Sequence, residues 1–318
     1  MTLSAKNTFA LFTIEKPNPL ARNIAQMANV SPVFVATKTF QNREIEVQLP
    51  AATPVTQHAV VVQSTPDHAS WFSLLFTLGA LHEKGYQKIV ACTPYLGYAR
   101  QDKAALHKNC AHLLTLKLLR QAGATHLCVL DPHREDAHRS LKASLPLVHT
   151  VSTTALFAAD IQKRFKSTQN LAVVSPDQGG AQRAKRLANA LCVPYIVGRK
   201  TSESSNIGAG TQYKNVCFGD LKKVHNKDII LLDDMVDSGA TLKAAGAVLR
   251  PFTKTIHAYV THAVLSDKTF DITSLFTSAT CTNTLENMAQ GMRVLCVAQP
   301  LCDVLQNVLQ NTSQKALY

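Results

Sequence analysis

The sequence predicts an α/β protein made of two similar halves, and the prediction rests on its apolar runs, its length and its composition. Short apolar runs typical of buried strands alternate with helical stretches along the chain, which favours mostly parallel sheets flanked by helices. The chain has 318 residues, enough for two domains of ordinary size. Hydrophobic residues make up 46% and charged residues 17%, a composition that can bury a substantial core.

The first half contains three apolar strands separated by helical stretches. These elements are the strands Ala59–Gln63, Lys88–Cys92 and His126–Leu130 and the helices Ser70–Lys84 and, approximately, Cys110–Gln121. Gly85 and Gly123 follow the two helices, where a glycine in the left-handed conformation ends many helices. The third strand runs directly into Asp131–His133.

The alternation begins again after Pro146, which indicates a second half of similar size. Its predicted elements are the helices Thr153–Phe165, Gly180–Leu191 and Thr241–Arg250 and the strands Leu171–Ser175, Pro194–Val197, Asp228–Leu232, Ile256–Thr261 and Val294–Val297. The expected domains are therefore 1–148 and 149–300, with a C-terminal helix within 301–318 that packs on the first domain. The polar, Ser/Gly-rich stretch Lys200–Gln212 is expected to be a mobile loop.

The charge of the chain favours anionic partners. The formal net charge is +12, from 33 Lys and Arg against 21 Asp and Glu. Basic residues form no long block and aromatic residues are 6%, so small phosphorylated ligands explain the charge as well as nucleic acid does. A merely solvated basic surface is the other explanation. The densest basic cluster, Gln182–Arg186, is interpreted as one face of a helix.

The cysteines and the apolar runs bear on the compartment. The eight cysteines contain no C-x-x-C pair and no metal-finger spacing, so we expect free thiols rather than disulfides. No run approaches the roughly 18 apolar residues that span a bilayer, and the N-terminus lacks a signal-peptide core. A cytoplasmic protein without membrane or nucleic-acid partners is the expectation.

The segment Ile229–Leu242, IILLDDMVDSGATL, predicts a site for a ribose-phosphate group. Four apolar residues form a buried parallel strand, and ligands of such sheets bind beyond the carboxyl ends of the strands. Small residues and a helix N-terminus then offer converging N–H groups to a phosphate. The Asp233–Asp234 pair would repel phosphate and suits sugar hydroxyls or a divalent cation carried by the substrate. An ordinary turn and helix cap is the alternative for Asp-Ser-Gly taken alone.

At this point the chain resembles the ribose-phosphate pyrophosphokinase (phosphoribosyl-pyrophosphate synthetase) family. The similarity runs from about Leu11 to the C-terminal helix. The segments that carry it, besides the loop, are VQST (Val62–Thr65), TPYLGYARQDK (Thr93–Lys103), the stretch Gln121–Leu130 ending at Asp131, VVSPDQGGAQRAKRLANAL (Val173–Leu191), THAVLS (Thr261–Ser266) and VAQPL (Val297–Leu301).

The resemblance implies two tandem phosphoribosyltransferase-like domains and an enzyme that transfers the β,γ-diphosphoryl group of ATP to the 1-hydroxyl of ribose 5-phosphate. The residues implied for ribose 5-phosphate are Asp233 and Asp234 at the sugar hydroxyls and Asp237, Ser238, Gly239, Ala240 and Thr241 at the 5-phosphate. The residues implied for ATP are Arg100, Gln101 and Asp102, together with Phe40, Asn42 and Glu44 reaching the adenine bound by a neighbouring subunit.

The adenine-binding segment departs from the family pattern, with Asn42 in place of an acid and Arg43 in place of a glycine. A dimer or hexamer is implied if Phe40 and Glu44 complete a neighbour's site, and an exposed strand edge is the alternative for Phe40. His133 matches the family's metal-binding histidine and Asp177 its second metal site, so Mg²⁺ is the implied cofactor. A plain loop histidine is the alternative for His133.

Two mobile loops of the family are also altered. The family has a Lys and, two residues later, an Arg; here Arg199 takes the place of the Lys, Lys200 follows it, and Thr201 stands where the Arg is expected. Arg199 and Lys200 are the expected catalytic cations. In the other loop His107 and Lys108 reach ATP phosphates or simply open a helix.

Three functions follow: an active, divergent synthetase, a catalytically weak regulatory paralogue that assembles with an active subunit, or a phosphoribosyltransferase. The match outside the Asp-Asp loop argues against the last.

Overall fold

The protein forms two compact units, one of which contains both ends of the chain. The computed structural model describes residues 9–14, 18–54, 56–102, 110–133, 147–200, 216–266, 271–272, 274–286 and 291–310, apart from the side chain of Lys200. The first unit is Met1–Ser152 with Val297–Tyr318, and the second is Thr153–Cys296. The predicted loop Lys200–Gln212 lies, beyond its first residue, outside the described residues.

Seven α-helices and fourteen strands are described. The helices are α1 (Pro19–Ala28), α2 (His68–Glu83), α3 (Ala111–Gln121), α4 (Thr154–Arg164), α5 (Ala181–Leu191), α6 (Ala240–Leu249) and α7 (Ala298–Gln310). The strands are β1 (Phe9–Ile14), β2 (Pro32–Thr39), β3 (Ile45–Gln48), β4 (His58–Val62), β5 (Lys88–Thr93), β6 (His126–Leu130), β7 (Leu147–Val151), β8 (Leu171–Ser175), β9 (Tyr195–Lys200), β10 (Val216–Phe218), β11 (Asp228–Val236), β12 (Thr255–Ala263), β13 (Ser278–Thr282) and β14 (Arg293–Leu295).

Each unit is built on one seven-stranded sheet. The strand order is β3-β2-β1-β4-β5-β6-β7 in the first unit and β10-β9-β8-β11-β12-β13-β14 in the second. All described pairs are parallel except β2–β3 and β9–β10, which are antiparallel edge pairs. The central strands are apolar and buried along their length because helices cover both faces of such a sheet. The predicted fold class is confirmed.

Local sequence signals fix the helix starts. Asn18 accepts a hydrogen bond from the backbone N–H of Leu20 at 2.8 Å, and Pro19 occupies the first turn of α1, where its missing N–H costs nothing. Asp67 and Ser70 form a reciprocal capping box at the start of α2. These caps hold the helices in the register that buries their apolar faces.

The C-terminal helix packs within the first unit. Cys302 of α7 places its Sγ 3.9 Å from the carbonyl oxygen of Ile24 and from the sulfur of Met27, both on α1. The Nζ of Lys88, at the start of β5, donates to the carbonyl oxygen of Val308 at 3.0 Å. A cation thereby meets the negative end of the helix dipole.

A group of basic side chains lies at the amino ends of the strands of the first unit. His126 is 8% exposed and stacks on His149, with ring centroids 5.4 Å apart and planes 10° apart. Burial lowers the pKa of His126 to about 4, and the positive charges of His149 and Lys88 add to the effect. The pKa of His149 is lowered as well, first by burial and then by Lys88. The folded unit therefore disfavours protonation of this pair.

This cluster predicts a loss of stability in acid. Between pH 6.5 and pH 4 the unfolded chain binds a proton at His126 that the folded chain does not, so the free energy of unfolding falls as the pH falls. The full loss from this group is about 3 kcal/mol below pH 4. Denaturant unfolding followed by circular dichroism at pH 7 and pH 4.5 should show a smaller loss in His126→Gln. The exposed His225→Gln is the control, and equal losses in both variants would contradict the assignment.

Candidate active site

In the second unit three segments that carry polar residues leave the same edge of the sheet. The strands β9, β8, β11 and β12 are neighbours and run parallel, so their carboxyl ends lie side by side. Asp177 follows β8, Asp233–Thr241 ends β11 and opens α6, and Ser266 follows β12. Ligands of open α/β sheets bind at this edge.

The strand that carries the acid pair is longer than predicted. β11 continues to Val236, and Asp233, Met235 and Val236 remain paired with β12, whereas the predicted strand stopped at Leu232. Backbone pairing with β12 keeps these residues in the strand, and such pairing cannot be recognised from the pattern of side chains in the sequence. The two carboxylates therefore stand on rigid backbone instead of in a loop.

The turn between β11 and α6 is open to solvent. Ser238 and Ala240 are exposed and Thr241 is half-buried. Gly239 has φ +71°, a left-handed conformation that suits glycine, and it directly precedes α6. No side chain caps the start of α6, so its first N–H groups face the open turn. Such a helix N-terminus attracts phosphate through its N–H groups and its dipole.

Asp237 anchors this turn to the next strand. One of its carboxylate oxygens accepts hydrogen bonds from the backbone N–H of Ser266, at 3.2 Å, and from the Ser266 hydroxyl. A carboxylate would repel a phosphate, so this contact assigns Asp237 a task within the protein. The segment Thr261–Ser266 thus touches the Asp-Ser-Gly segment although the two are distant in sequence.

The acid pair is held by a buried arginine. Asp234 is 4% exposed, Asp233 is half-buried, and the backbone N–H of Asp234 donates to the Asp233 carboxylate at 2.9 Å. The Nη1 atom of Arg183 lies 3.9 Å from Oδ1 of Asp234, with both side chains less than a tenth exposed. Burial raises the pKa of Asp233 well above its ordinary value, the charge of Asp234 raises it further, and Arg183 opposes the shift.

The Ser-Pro-Asp-Gln-Gly-Gly turn brings α5 close to the acid pair. The Ser175 hydroxyl donates to the carbonyl oxygen of Asp177 at 2.8 Å, and the Asp177 carboxylate accepts from the Gly179 N–H at 2.9 Å. A Cβ at Gly180 would lie 2.4 Å from the Ser175 hydroxyl. The glycine therefore permits a close approach that a side chain would block.

Arg183 and Ser266 are the site residues that the sequence analysis missed. The basic cluster Gln182–Arg186 was interpreted as one helix face, yet Lys185 is exposed while Arg183 is buried. Arg183 continues the buried stripe of α5 at the spacing of Leu187 and Leu191. A charged residue in an apolar stripe is the signal that could have revealed it, because a buried charge needs a partner.

Arg199 lies at the same edge of the sheet, but on a strand. The predicted strand ended at Val197, and the structure extends β9 to Lys200 because Gly198–Lys200 pairs with β10. Val197 lies beside Ser175, so Arg199 projects two residues past the end of β8, and its side chain is exposed. Arg199 is thus close in sheet position to Asp177. The side chain of Lys200 is outside the description.

In the first unit two matching segments interlock at the corresponding edge. The backbone N–H of Thr65 donates to the carbonyl oxygen of Tyr95 at 2.9 Å, and the Gly97 N–H donates to the Thr65 hydroxyl at 3.0 Å. A Cβ at Gly97 would lie 2.2 Å from the carbonyl oxygen of Thr65. This packing fixes the loop that ends in Arg100.

The remaining candidates of the first unit flank the ends of β5 and β6. Arg100 and Gln101 are exposed and Asp102 is half-buried, while His107 lies outside the described residues. His133 is half-buried and follows Asp131, whose backbone has a left-handed φ of +36°. Since β5 and β6 are adjacent, the two loops leave neighbouring strands at one edge.

The hairpin between β2 and β3 presents Phe40 to solvent. Phe40 is 40% exposed, and the Nζ of Lys38 lies 4.6 Å from its ring centroid. Asn42 accepts a hydrogen bond from the backbone N–H of Glu44 at 3.1 Å. Arg43, which replaces a glycine of the family pattern, has φ +70°, so this chain places a side chain where the backbone favours glycine.

No preformed metal cage is present in the described part of the chain, where no group of three or more His, Cys, Asp or Glu side chains is arranged to hold an ion. Mg²⁺ bound with a nucleotide needs few protein ligands, because it keeps its waters and phosphate oxygens. The carboxylate of Asp177 supplies the oxygen donor that Mg²⁺ prefers. The imidazole of His133 fits through a bound water. The donor set therefore suits a metal carried in by the substrate.

Two α/β units of this kind, one of them with an acid pair beside an open helix N-terminus, define a phosphoribosyl-binding class of enzyme. Family models match both units: the N-terminal domain of ribose phosphate pyrophosphokinase over residues 9–123, and the phosphoribosyl transferase domain over residues 154–295. The chain belongs to the ribose-phosphate pyrophosphokinase family.

Individual relatives agree over most of the chain. It is 34% identical to the ribose-phosphate pyrophosphokinase of Agrobacterium fabrum, with 78% of this chain and 77% of the relative covered. It is 29% identical to that of Granulibacter bethesdensis, with 94% and 96% covered. The crystal structure of phosphoribosylpyrophosphate synthetase from Mycobacterium smegmatis superposes with a TM-score of 0.82 at 26% identity, covering 96% of this chain and 100% of that one.

Because Gly180 lies so close to Ser175, adding a single methyl group at this position should destabilise the fold. In Gly180→Ala the new Cβ collides with the buried Ser175 hydroxyl, so the unfolding free energy should fall by about 1–3 kcal/mol. Gly79→Ala is the matched control, because a Cβ there meets nothing within 4 Å inside α2 and should raise stability by up to about 1 kcal/mol. Denaturant unfolding compares them, and equal stabilities would show that the turn is not tight.

Proposed function

We propose that the protein is a ribose-phosphate diphosphokinase that transfers the β,γ-diphosphoryl group of ATP to the 1-hydroxyl of ribose 5-phosphate. The products are phosphoribosyl pyrophosphate and AMP. The observation that carries the proposal is the open turn after β11, where a helix N-terminus and an acid pair lie side by side at the edge of the sheet. Membership of the family supports the same reaction.

The ribose 5-phosphate site lies in the second unit. The backbone N–H groups of the Asp237–Thr241 turn hold the 5-phosphate, and the hydroxyls of Ser238 and Thr241 add donors. The carboxylates of Asp233 and Asp234 accept from sugar hydroxyls, which are donors that tolerate a negative charge nearby. This division puts the positive end of α6 on the phosphate and the acids on the sugar, and so orients the 1-hydroxyl.

The ATP site draws on residues of the first unit. Arg100 pairs with phosphate as a planar fork, Gln101 offers its amide to the adenine edge, and Asp102 completes the segment. Phe40, Asn42 and Glu44 of the exposed hairpin reach the adenine of a neighbouring subunit. His107, in the loop after Asp102, is proposed to approach the phosphates.

Mg²⁺ accompanies ATP, with His133 as the side chain that would hold it at one metal site and Asp177 at a second. When bound, the ion neutralises charge on the phosphate oxygens. Diphosphoryl transfer depends mainly on positioning and charge stabilisation, so cations of the protein must also reach the transferred group. Arg199 and Lys200 are proposed for this role, since β9 brings them to the same edge as Asp177.

Self-association and a cytoplasmic location complete the proposal. A hairpin that serves a neighbour's adenine requires at least a dimer, and the exposure of Phe40 is consistent with such a contact. All eight cysteines are free, which suits a reducing compartment. Among the helices of the described residues, none is long and apolar enough to cross a membrane. Neither nucleic acid nor membrane is a proposed partner.

The reaction predicts AMP release that depends on the two cations of β9. The wild-type protein mixed with ATP, Mg²⁺ and ribose 5-phosphate should release AMP, measured by chromatography. Replacing both Arg199 and Lys200 by alanine should lower kcat at least about a hundredfold, because charge on the transferred group is no longer stabilised. The pair Lys222→Ala with Lys223→Ala, both exposed, removes the same charge elsewhere and should leave kcat unchanged.

Absence of AMP together with tight ribose 5-phosphate binding would instead support a regulatory paralogue that assembles with an active subunit. The altered Arg199–Lys200 segment is the specific feature that favours this second candidate. A phosphoribosyltransferase would account for the second unit alone and leaves the first unit without a role.

If the hairpin between β2 and β3 contributes to adenine binding, a substitution in it should change the affinity for ATP and not that for ribose 5-phosphate. Phe40→Ala should raise KM for ATP about tenfold by removing a stacking face worth about 1–2 kcal/mol, while KM for ribose 5-phosphate stays unchanged. Phe252→Ala removes a similarly exposed ring, 38% exposed, from the second unit and is the control. Light scattering reports the assembly in parallel. A fully active monomer with an unchanged KM for ATP would rule out the shared site.

A further inference from the structure

Arg183 is a buried cation close to the sugar end of the proposed site. It lies in the first turn of α5 and is 7% exposed, although it is a long charged side chain. Such residues are almost never buried unless they are paired. Its guanidinium is 3.9 Å from the carboxylate of Asp234, which is itself 4% exposed. Gly180, directly before α5, lies close to the same guanidinium: a Cβ there would be in ordinary contact with Nη1 of Arg183, at 3.6 Å.

The two acids of the pair have different surroundings. Asp234 faces Arg183 and is buried, whereas Asp233 is half-buried and accepts the N–H of Asp234. The charged groups that act on Asp233 are Asp234 and Asp177, which are negative, and Arg183, which is positive. Arg183 is therefore the positive charge that acts on Asp233 beside two negative ones.

We propose that Arg183 is a positioning residue that holds the Asp234 carboxylate in place and so keeps the acid pair directed to the ribose hydroxyls. This inference rests on the proposed ribose 5-phosphate site. An ionised carboxylate only accepts hydrogen bonds, whereas a protonated one turns one of its oxygens into a donor. Burial and the charge of Asp234 raise the pKa of Asp233, and Arg183 opposes that shift. Arg183 itself touches the protein and need not touch the substrate.

The test compares three variants of the full-length protein by calorimetric titration with ribose 5-phosphate at pH 7. Arg183→Gln should weaken binding about tenfold, because the acid pair then takes up a proton or shifts apart. Arg183→Lys keeps a cation and should bind within about threefold of the wild type. Lys185→Gln removes the same charge from an exposed position of the same helix and should bind as the wild type does.

Turnover separates positioning from general damage. At saturating ribose 5-phosphate, kcat of Arg183→Gln should stay within about threefold of the wild type, so the defect appears in KM. A weaker affinity in Arg183→Lys equal to that of Arg183→Gln would show that shape, not charge, matters, and would overturn the proposal. Unchanged affinity in Arg183→Gln, or an equal loss in Lys185→Gln, would overturn it as well.

Two outcomes separate a failure of this inference from a failure of the proposed function on which it rests. A wild type that binds ribose 5-phosphate but releases no AMP contradicts the proposed reaction and leaves the three affinities to decide the role of Arg183. A wild type that does not bind ribose 5-phosphate contradicts both. Should Arg183→Gln not fold, Arg183→Lys decides: binding within about threefold of the wild type supports the role of charge, and a loss beyond about tenfold contradicts it.

Discussion

The second unit depends on one electrostatic constraint: two adjacent acidic residues stand at the end of a buried strand. Desolvation and the charge of Asp234 both disfavour the charged form of Asp233, so its pKa is raised. A buried arginine beside Asp234 offsets part of that cost, although the desolvation of such a pair is itself worth several kcal/mol. Arg183 belongs to α5, which starts directly after the tight turn at Gly180 that follows β8. Since β8 pairs with β11, this turn lies next to the strand that carries the acid pair.

The order of the strands brings the other polar residues of the candidate site next to the acid pair. Because β9, β8, β11 and β12 are parallel neighbours, segments far apart in sequence end at one edge. Ser266 donates a hydrogen bond to Asp237 and so holds the turn in place. The negative charge of Asp177 contributes to the raised pKa of Asp233. The N-terminus of α6 opens beside them. A helix N-terminus, which favours negative charge, and an acid pair therefore lie within one short segment. In the proposed function this gives the phosphate and the sugar of the ligand different places.

The sequence predicted several buried strands closely and missed others. β6 and β8 match their predicted bounds because each is apolar at four of five positions and buried throughout, whereas the buried strand β1 was missed. β2 was missed because only one of its side chains is fully buried, so it lacks a continuous apolar run. The extensions of β9 and β11 are made by backbone pairing with β10 and β12, which the side chains of the extended residues do not reveal. The Asp-Asp loop was recognisable from small residues after an apolar strand, whereas Arg183 was hidden in a basic run that resembles a solvated surface.

The departures of this chain from the family pattern fall mainly on exposed backbone. Arg43 takes a left-handed φ where a glycine would be relaxed, at a cost of order 1 kcal/mol that an exposed hairpin can bear. Arg199 is likewise exposed, at the end of a strand that protrudes beyond its neighbour. The acid pair, by contrast, is held by a backbone ladder, and Asp234 is buried beside Arg183. A substitution there would disturb a buried ion pair, which is far more costly than a change at an exposed position. Physical constraint is therefore stronger at the acid pair than at the exposed positions Arg43 and Arg199, where a different side chain is easily accommodated.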